Sequence, residues 1–388
     1  MDSTMSQAIR VGIDITSVLY GRGVSRYTTN LTRHLLANKR VKMSLYGSSL
    51  RQKTELEKIA KELKDATEQK AHTVIRNYPP SLYNFLWYKL GYPKIRSAMP
   101  EISLFHSWDW LQPPDRDLPL ISTIHDLSML KYPETAHPQI MSMHQKSWEV
   151  LKKRNAHIIA VSRATKHDII SYLDIPAERI HVVHEALPDE AMLVNTHLTE
   201  ARYEQLKVEL QLTKPYILFV GTREPRKNLA RLIAAWQSLN IPDLELLIAG
   251  SVGWDKTDDL AKTPGLRFLN RVSDEALSVL YGEANVFAFP SLYEGFGLPI
   301  LEAFHHGTPV VTSNCSSMPE VAGNAAELVN PLSEQSIAAG LSKVLNESLA
   351  DQRKRLQKMI IRSQMFSWNR VADQTIDAYE QTIQTFVS

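Results

Sequence analysis

Residues Ser291–Pro309 read SLYEGFGLPILEAFHHGTP. They follow the apolar run Val286-Phe287-Ala288-Phe289, which predicts a buried parallel strand. A loop with two glycines comes next, then a helical pattern from about Leu298. Pro299 suits a helix start, where its missing N–H has no intrahelical partner. Gly295 and Gly297 allow a sharp turn and a close ligand approach. The amides around Gly297 and Leu298 then make an anion site at a helix N-terminus, favourable to a phosphate. Two carboxylates bracket it, Glu294 in the loop and Glu302 in the helix. A nucleotide sugar fits this chemistry. Glu302 can accept hydrogen bonds from a ribose diol, and Glu294 from sugar hydroxyls. The competing reading is a solvated helix start, with Glu302 as a charge that complements the dipole.

Strand-like apolar runs alternate with helical patterns along nearly the whole chain, the βαβ rhythm of parallel sheets. One series runs from Ile9 to about Val183, and a second from Tyr216 to about Leu328. Glu185–Lys214, with Pro188 and one short helical pattern, reads as the connection between them. Two doubly wound domains would make a cleft between the carboxyl ends of their strands.

The spacing of Glu294 and Glu302 within EGFGLPILEA resembles the signature of retaining glycosyltransferases of family 4. That resemblance implies an α/β chain of GT-B fold: two doubly wound Rossmann-like domains facing across a cleft, with a C-terminal helix crossing back. The domains would be 1–186 and 187–366, with 367–388 returning to the first. It also implies that Gly295, Phe296, Gly297, Leu298 and Glu302 line a nucleotide sugar.

Tyr216–Val220 predicts a buried strand, followed by Gly221-Thr222-Arg223-Glu224-Pro225-Arg226-Lys227-Asn228. A basic pair where a strand turns into a helix suits a diphosphate: arginine offers a planar fork, lysine a compact charge. The segment resembles the family's G-x-x-x-P-R-K-N motif. Many members have an arginine directly after the glycine, where this chain has Thr222. Later, Asn270-Arg271-Val272-Ser273 resembles the turn that meets the nucleobase, largely through backbone near Val272, and Ser273 is a natural N-cap.

In the first half, Arg10–Ile15 predicts a strand that feeds a loop containing Gly21 and Gly23. This is not the dinucleotide fingerprint, because Arg26 holds the third glycine position. It resembles the family's first glycine loop, and a simple tight turn is the alternative. Leu118–Ile124 predicts a strand whose end carries His125-Asp126, in a segment HDLSMLKYPE that resembles mannosyltransferase-like members. A histidine there can hydrogen-bond a donor sugar hydroxyl. Asp126 can instead cap the next turn. Asp115-Arg116-Asp117 has the D-x-D form of a metal motif but lacks its frame, and reads as a surface loop. Tyr78–Arg96 mixes aromatics with basic residues. Core packing of Phe85, Leu86 and Trp87 is the first reading, and a membrane surface or lipid-linked acceptor the second. Ser367–Thr385 reads as a long helix.

Composition sets outer bounds. The 388 residues are 44% hydrophobic and 22% charged, as in a soluble globular protein. A net charge of +2 gives no field for nucleic acid. The single cysteine, Cys315, leaves no disulfide framework or cysteine metal cluster. No apolar run of about 18 residues occurs, and MDSTMSQAIR lacks a signal-peptide core. A cytoplasmic protein, peripheral at most to the inner membrane face, is expected.

The resemblance therefore implies a metal- and cofactor-independent enzyme. Arg226, Lys227, Glu294 and His125 would act on a nucleotide-diphosphate sugar, with GDP-mannose as the favoured donor and a glycan or lipid-linked acceptor. UDP-glucose or UDP-N-acetylglucosamine is the nearest alternative donor. A nucleotide-sugar 2-epimerase and a non-catalytic nucleotide-sugar binder are alternatives of other classes.

Overall fold

The structure, a computed structural model, describes residues 8–21, 23–133, 138–253 and 262–387. The N-terminal stretch before Ala8, Arg22 of the glycine loop, Glu134 and Trp254 lie outside them. The chain divides into two compact units, the first drawn from Met1–Leu127, Ala136–Glu185 and Ser367–Ser388, the second from Ser128–Thr135 and Ala186–Phe366.

Among the described residues, the first unit holds a seven-stranded parallel sheet. Its strands are β1 (Ile9–Asp14), β2 (Val41–Ser48), β3 (His72–Arg76), β4 (Leu104–Trp108), β5 (Leu120–Ile124), β6 (His157–Ala160) and β7 (Ile180–Val182), in the order β3-β2-β1-β4-β5-β6-β7. The second unit repeats the plan with β8 (Tyr216–Val220), β9 (Glu245–Ala249), β10 (Leu266–Asn270), β11 (Val286–Phe289), β12 (Val310–Ser313) and β13 (Glu327–Val329), ordered β10-β9-β8-β11-β12-β13. Both orders reverse direction once, between β1 and β4 and between β8 and β11. In open parallel sheets, ligands bind at that reversal, beyond the carboxyl ends of the strands. The central strands carry apolar side chains on both faces, and Ile217, Leu218, Phe219, Val286, Phe287, Ala288 and Phe289 are fully buried.

The helix Trp368–Val387 belongs to the first unit, as the fold requires. Trp368 meets Tyr27 edge-on at 5.6 Å, and the Tyr379 hydroxyl lies 2.7 Å from His106 Nδ1. Arg40 reaches Asp377 and Glu380 at 2.7 and 3.0 Å. These exposed pairs add little stability, so the buried aromatic seam holds the helix.

Three expectations fail. Phe85 does not enter the core: it is 55% exposed, while Trp87 and Tyr83 of the same segment are buried. Asp115 is no surface residue. It is fully buried and accepts from the amides of Ile95 and Arg96 at 2.8 and 2.9 Å, capping a short helix start. Glu185–Lys214 is more than a connection. It forms the helices Asp189–His197 and Glu200–Glu209, and Leu206 of the second packs against Ala276 and Val279.

His106 sets an acid limit on stability. It is fully buried, with Nε2 2.8 Å from the Thr123 hydroxyl. Burial, with a smaller effect of His125, pushes its pKa down to about 3. His181, whose Nε2 lies 2.8 Å from His157 Nδ1, is lowered to about 4, mainly by burial. Unfolded histidines titrate near 6.5, so below that pH the unfolded chain binds more protons than the folded one. The stabilisation is complete above about pH 6.5 and falls as pH drops toward the folded values. Each histidine contributes up to about 1.4 kcal/mol per pH unit in that window. Urea midpoints between pH 7 and 4.5 should fall less steeply in His106→Gln than in the parent.

Candidate active site

The second unit builds its site at the β8/β11 reversal. After β8 the chain passes Gly221 and Thr222, which is half-buried, to the turn Pro225–Lys227. Asn228, with φ of 63°, ends that turn. Its Nδ2 donates to the carbonyls of Pro290 at 3.0 Å and Pro331 at 2.7 Å, and Leu292 N donates to Arg226 O at 2.7 Å. The basic turn is thereby bolted to the loop leaving β11. The β9 exit loop packs as tightly, because a Cβ on Gly250 would lie 2.0 Å from Gly221 O. Only glycine fits there.

Arg226, Lys227 and Glu294 converge. Lys227 Nζ donates to Glu294 Oε1 at 2.6 Å, and Arg226 Nη1 to Oε2 at 2.9 Å. Arg226 also pairs with Glu224 at 2.8 Å and donates to Tyr293 O at 3.0 Å. Lys227 and Glu294 are buried, and the ammonium stands 5.0 Å from the centre of the Phe289 ring. Burial opposes ionisation of Glu294, but Lys227 and Arg226 outweigh it and hold the carboxyl below its usual range. The Glu294 backbone is clamped as well: its N–H donates to the Ser316 hydroxyl at 3.2 Å, and its carbonyl accepts from Ser316 and Ser317 at 2.8 and 2.9 Å. The sequence gives no local sign of Ser316 or Ser317 in these parts, whereas Asn228 closes the G-x-x-x-P-R-K-N segment.

Gly297, with φ of 109°, leads into the helix Leu298–His305 and, as its N-cap residue, has no side chain to cap the first amides. Gly295, Phe296 and Gly297 are buried, and Phe296 packs edge-on against Phe366 at 5.7 Å. Glu302 accepts from the Tyr281 hydroxyl at 2.9 Å, so part of its acceptor capacity is already used within the unit. The Val272 side chain packs against the Leu206 cluster, leaving its backbone as the informative part of that turn. Arg223, one place beyond the family's usual arginine, is buried with its guanidinium 4.7 Å from the Phe268 ring centre.

In the first unit, Asp14 at the end of β1 accepts from Thr16 N at 2.8 Å through its side chain and from Trp108 Nε1 at 2.7 Å through its carbonyl. Gly21 follows with φ of 62°, and Gly23 starts the helix Gly23–Ala37. A Cβ on either glycine would meet no heavy atom within 4 Å, so only the backbone angle of Gly21 requires glycine. His125 stands just past β5. Its Nδ1 is 2.9 Å from Glu185 Oε1, its ring meets Tyr27 edge-on at 4.7 Å, and Trp108 stacks at 6.3 Å.

Residues 203–362 match the family model "Glycosyl transferases group 1", and residues 21–190 match "Glycosyltransferase Family 4". The chain belongs to this glycosyltransferase family, and its fold is GT-B. It is 35% identical over 240 residues to the O-antigen chain mannosyltransferase B of Escherichia coli, covering 58% of this chain and 60% of that protein. It is 30% identical over 239 residues to the serotype-specific mannosyltransferase WbdA of Escherichia coli, covering 59% of this chain and 29% of that one. The chain thus matches under two thirds of the length of these relatives. The crystal structure of Anabaena HepE in complex with UDP and glucose shares the fold, with a TM-score of 0.68 and 16% identity over 96% of this chain and 99% of that one.

Proposed function

We propose that this protein is a retaining hexosyltransferase that moves mannose from GDP-mannose to a hydroxyl of a glycan or lipid-linked acceptor. The observation that carries the reading is the Arg226–Lys227–Glu294 cluster at the strand-order reversal, with Glu294 just ahead of the helix Leu298–His305 in the chain. Charge builds on the leaving diphosphate as the anomeric C–O bond breaks. Fixed cations and amides aimed at that charge stabilise the transition state by roughly 2.7–4 kcal/mol per donor. Glu294 orients the sugar, Glu302 the ribose, and His125 hydrogen-bonds a sugar hydroxyl. In this reading Lys227, Arg226 and the helix end meet the charge that a metal meets elsewhere. The departing phosphate oxygen takes the acceptor hydroxyl's proton as the new bond forms on the same face.

Mannose is favoured by the names of the Escherichia coli relatives. The UDP and glucose in HepE favour a UDP-sugar as the second reading. Among the described residues no helix is long and apolar enough to cross a membrane. A lipid-linked acceptor is supported by Phe85, Leu90 and Tyr92, exposed by 55, 63 and 65% in the segment that also holds Lys89 and Lys94. A thermal-shift series with GDP, UDP and ADP should give the largest stabilisation with GDP, because a ligand bound to the folded state raises its melting point. NMR of the product should show the donor's anomeric configuration kept. An inverted product, or no nucleotide response, would overturn the reading.

A further inference from the structure

His125 has two ring nitrogens in different surroundings. Nδ1 lies 2.9 Å from Glu185 Oε1, and Glu185 is buried. Nε2 is buried and, among the described residues, has no hydrogen-bond partner. A buried polar atom left without a partner costs about 1–3 kcal/mol, so a fold that keeps one calls for a reason. The ring is flanked by aromatic groups and its backbone is held. Tyr27 stands edge-on at one side, Trp108 stacks on the face, and the Thr165 hydroxyl holds the His125 carbonyl at 3.3 Å.

We propose that Glu185 is a positioning residue for His125, accepting a hydrogen bond from Nδ1–H so that Nε2 is the ring atom left for a hydroxyl of the transferred sugar. The assignment of a sugar to His125 rests on the function proposed above; the pairing with Glu185 does not. A carboxylate on Nδ1 fixes which nitrogen carries the proton, as it does for histidines held by a second group elsewhere. It also favours the charged ring. Burial works against that charge, but Glu185, with Asp109 and Asp126 adding, outweighs it and lifts the imidazole above its ordinary value. Two other titratable neighbours bring no charge near neutrality: burial drives His106 down to about 3 and the Tyr27 hydroxyl upward. His144, 3.4 Å from Asp109, is raised by Asp109 and Asp126 against the pull of burial. Nε2 then presents an N–H, a donor, to a sugar oxygen.

The test is histidine ¹⁵N NMR on the full chain, with the His125 signals assigned by their loss in His125→Gln. The parent should show Nδ1 protonated throughout and a midpoint above 6.5. In Glu185→Gln the midpoint should fall by roughly one pH unit or more, and Glu185→Asp should restore part of it. The alkaline limb of the kcat/KM profile for sugar transfer should move to lower pH by the same amount in Glu185→Gln. An unmoved midpoint overturns the proposal. So does a neutral ring in the parent with its proton on Nε2, which decides the matter even if the variants fail to fold. A shifted midpoint with an unmoved rate profile overturns the sugar contact. Failure of the parent to bind any nucleotide sugar would instead overturn the function proposed above, and the titration would still report on Glu185.

Discussion

Lys227→Met is expected to lower turnover with the nucleotide sugar at least about a hundredfold, the scale seen when one preorganised donor is lost from a transition state. Methionine keeps much of the lysine's bulk beside Phe289 and removes only the charge. Two consequences follow. In the proposed reading the leaving diphosphate loses a cation, one held 2.6 Å from Glu294 in a buried setting. Glu294 loses the stronger of the two charges that offset its burial, so its carboxyl rises from its depressed value. Breaking one side of a buried ion pair costs about 3–5 kcal/mol, so the variant should melt well below the parent. Lys227→Arg separates the two effects. It returns a cation to Glu294 and most of the stability. Its broader planar head does not reproduce the compact ammonium, so turnover should recover only in part. Rates measured well below the melting point of each variant check this, and near-normal turnover in Lys227→Met would remove the lysine from the chemistry.

The parts of the site that were legible in sequence are those written locally. A run such as Tyr216–Val220, apolar at every position and followed by glycine, can only be a strand buried on both faces, and the structure keeps those bounds. Ser273 announces a helix start, and it accepts from the amide three residues on. The basic turn and EGFGLPILEA were readable because glycine, proline and charge fall at fixed offsets from a strand end. What stayed hidden was pairing across the chain. Glu185 lies 60 residues from His125, in a stretch that reads as a connection, and no local pattern joins them. Ser316 and Ser317 look like ordinary loop serines until β12 brings them against the Glu294 backbone. Phe85 misled because hydrophobic character does not say which face of a short helix meets the core; Tyr83 and Trp87 take the inward positions instead. Asp115 misled because an acid after two prolines resembles a loop residue, while its partners are amides 19 and 20 residues earlier.

The same cluster yields a prediction of unusual sign. Glu294→Gln should lower sugar transfer at least about a hundredfold, yet bind free GDP more tightly than the parent. Both oxygens of Glu294 are taken by cations, Oε1 by Lys227 and Oε2 by Arg226. In the proposed reading these are the cations that meet the diphosphate. A phosphate arriving there competes with an internal carboxylate and is repelled by it. Glutamine removes both obstacles while keeping the shape, so GDP affinity should rise about tenfold, equal to about 1.4 kcal/mol. Without ligand the variant should be less stable, because buried Lys227 and the partly exposed Arg226 have lost their shared partner. GDP should therefore raise its melting temperature more than it raises the parent's. Transfer fails for a different reason: a carboxylate freed by the phosphate accepts strongly from sugar hydroxyls, and a neutral amide grips them less. In the proposed reading this exchange would make sugar recognition follow phosphate binding, with Glu294 turning to the sugar as its cations turn to the diphosphate. Calorimetry with GDP alone, set beside transfer rates with the intact donor, reads the two effects separately. Weaker GDP binding in Glu294→Gln would mean that the carboxylate holds the cations in place for the phosphate instead of competing with it, and the coupling between the two halves of the donor would have to be sought elsewhere.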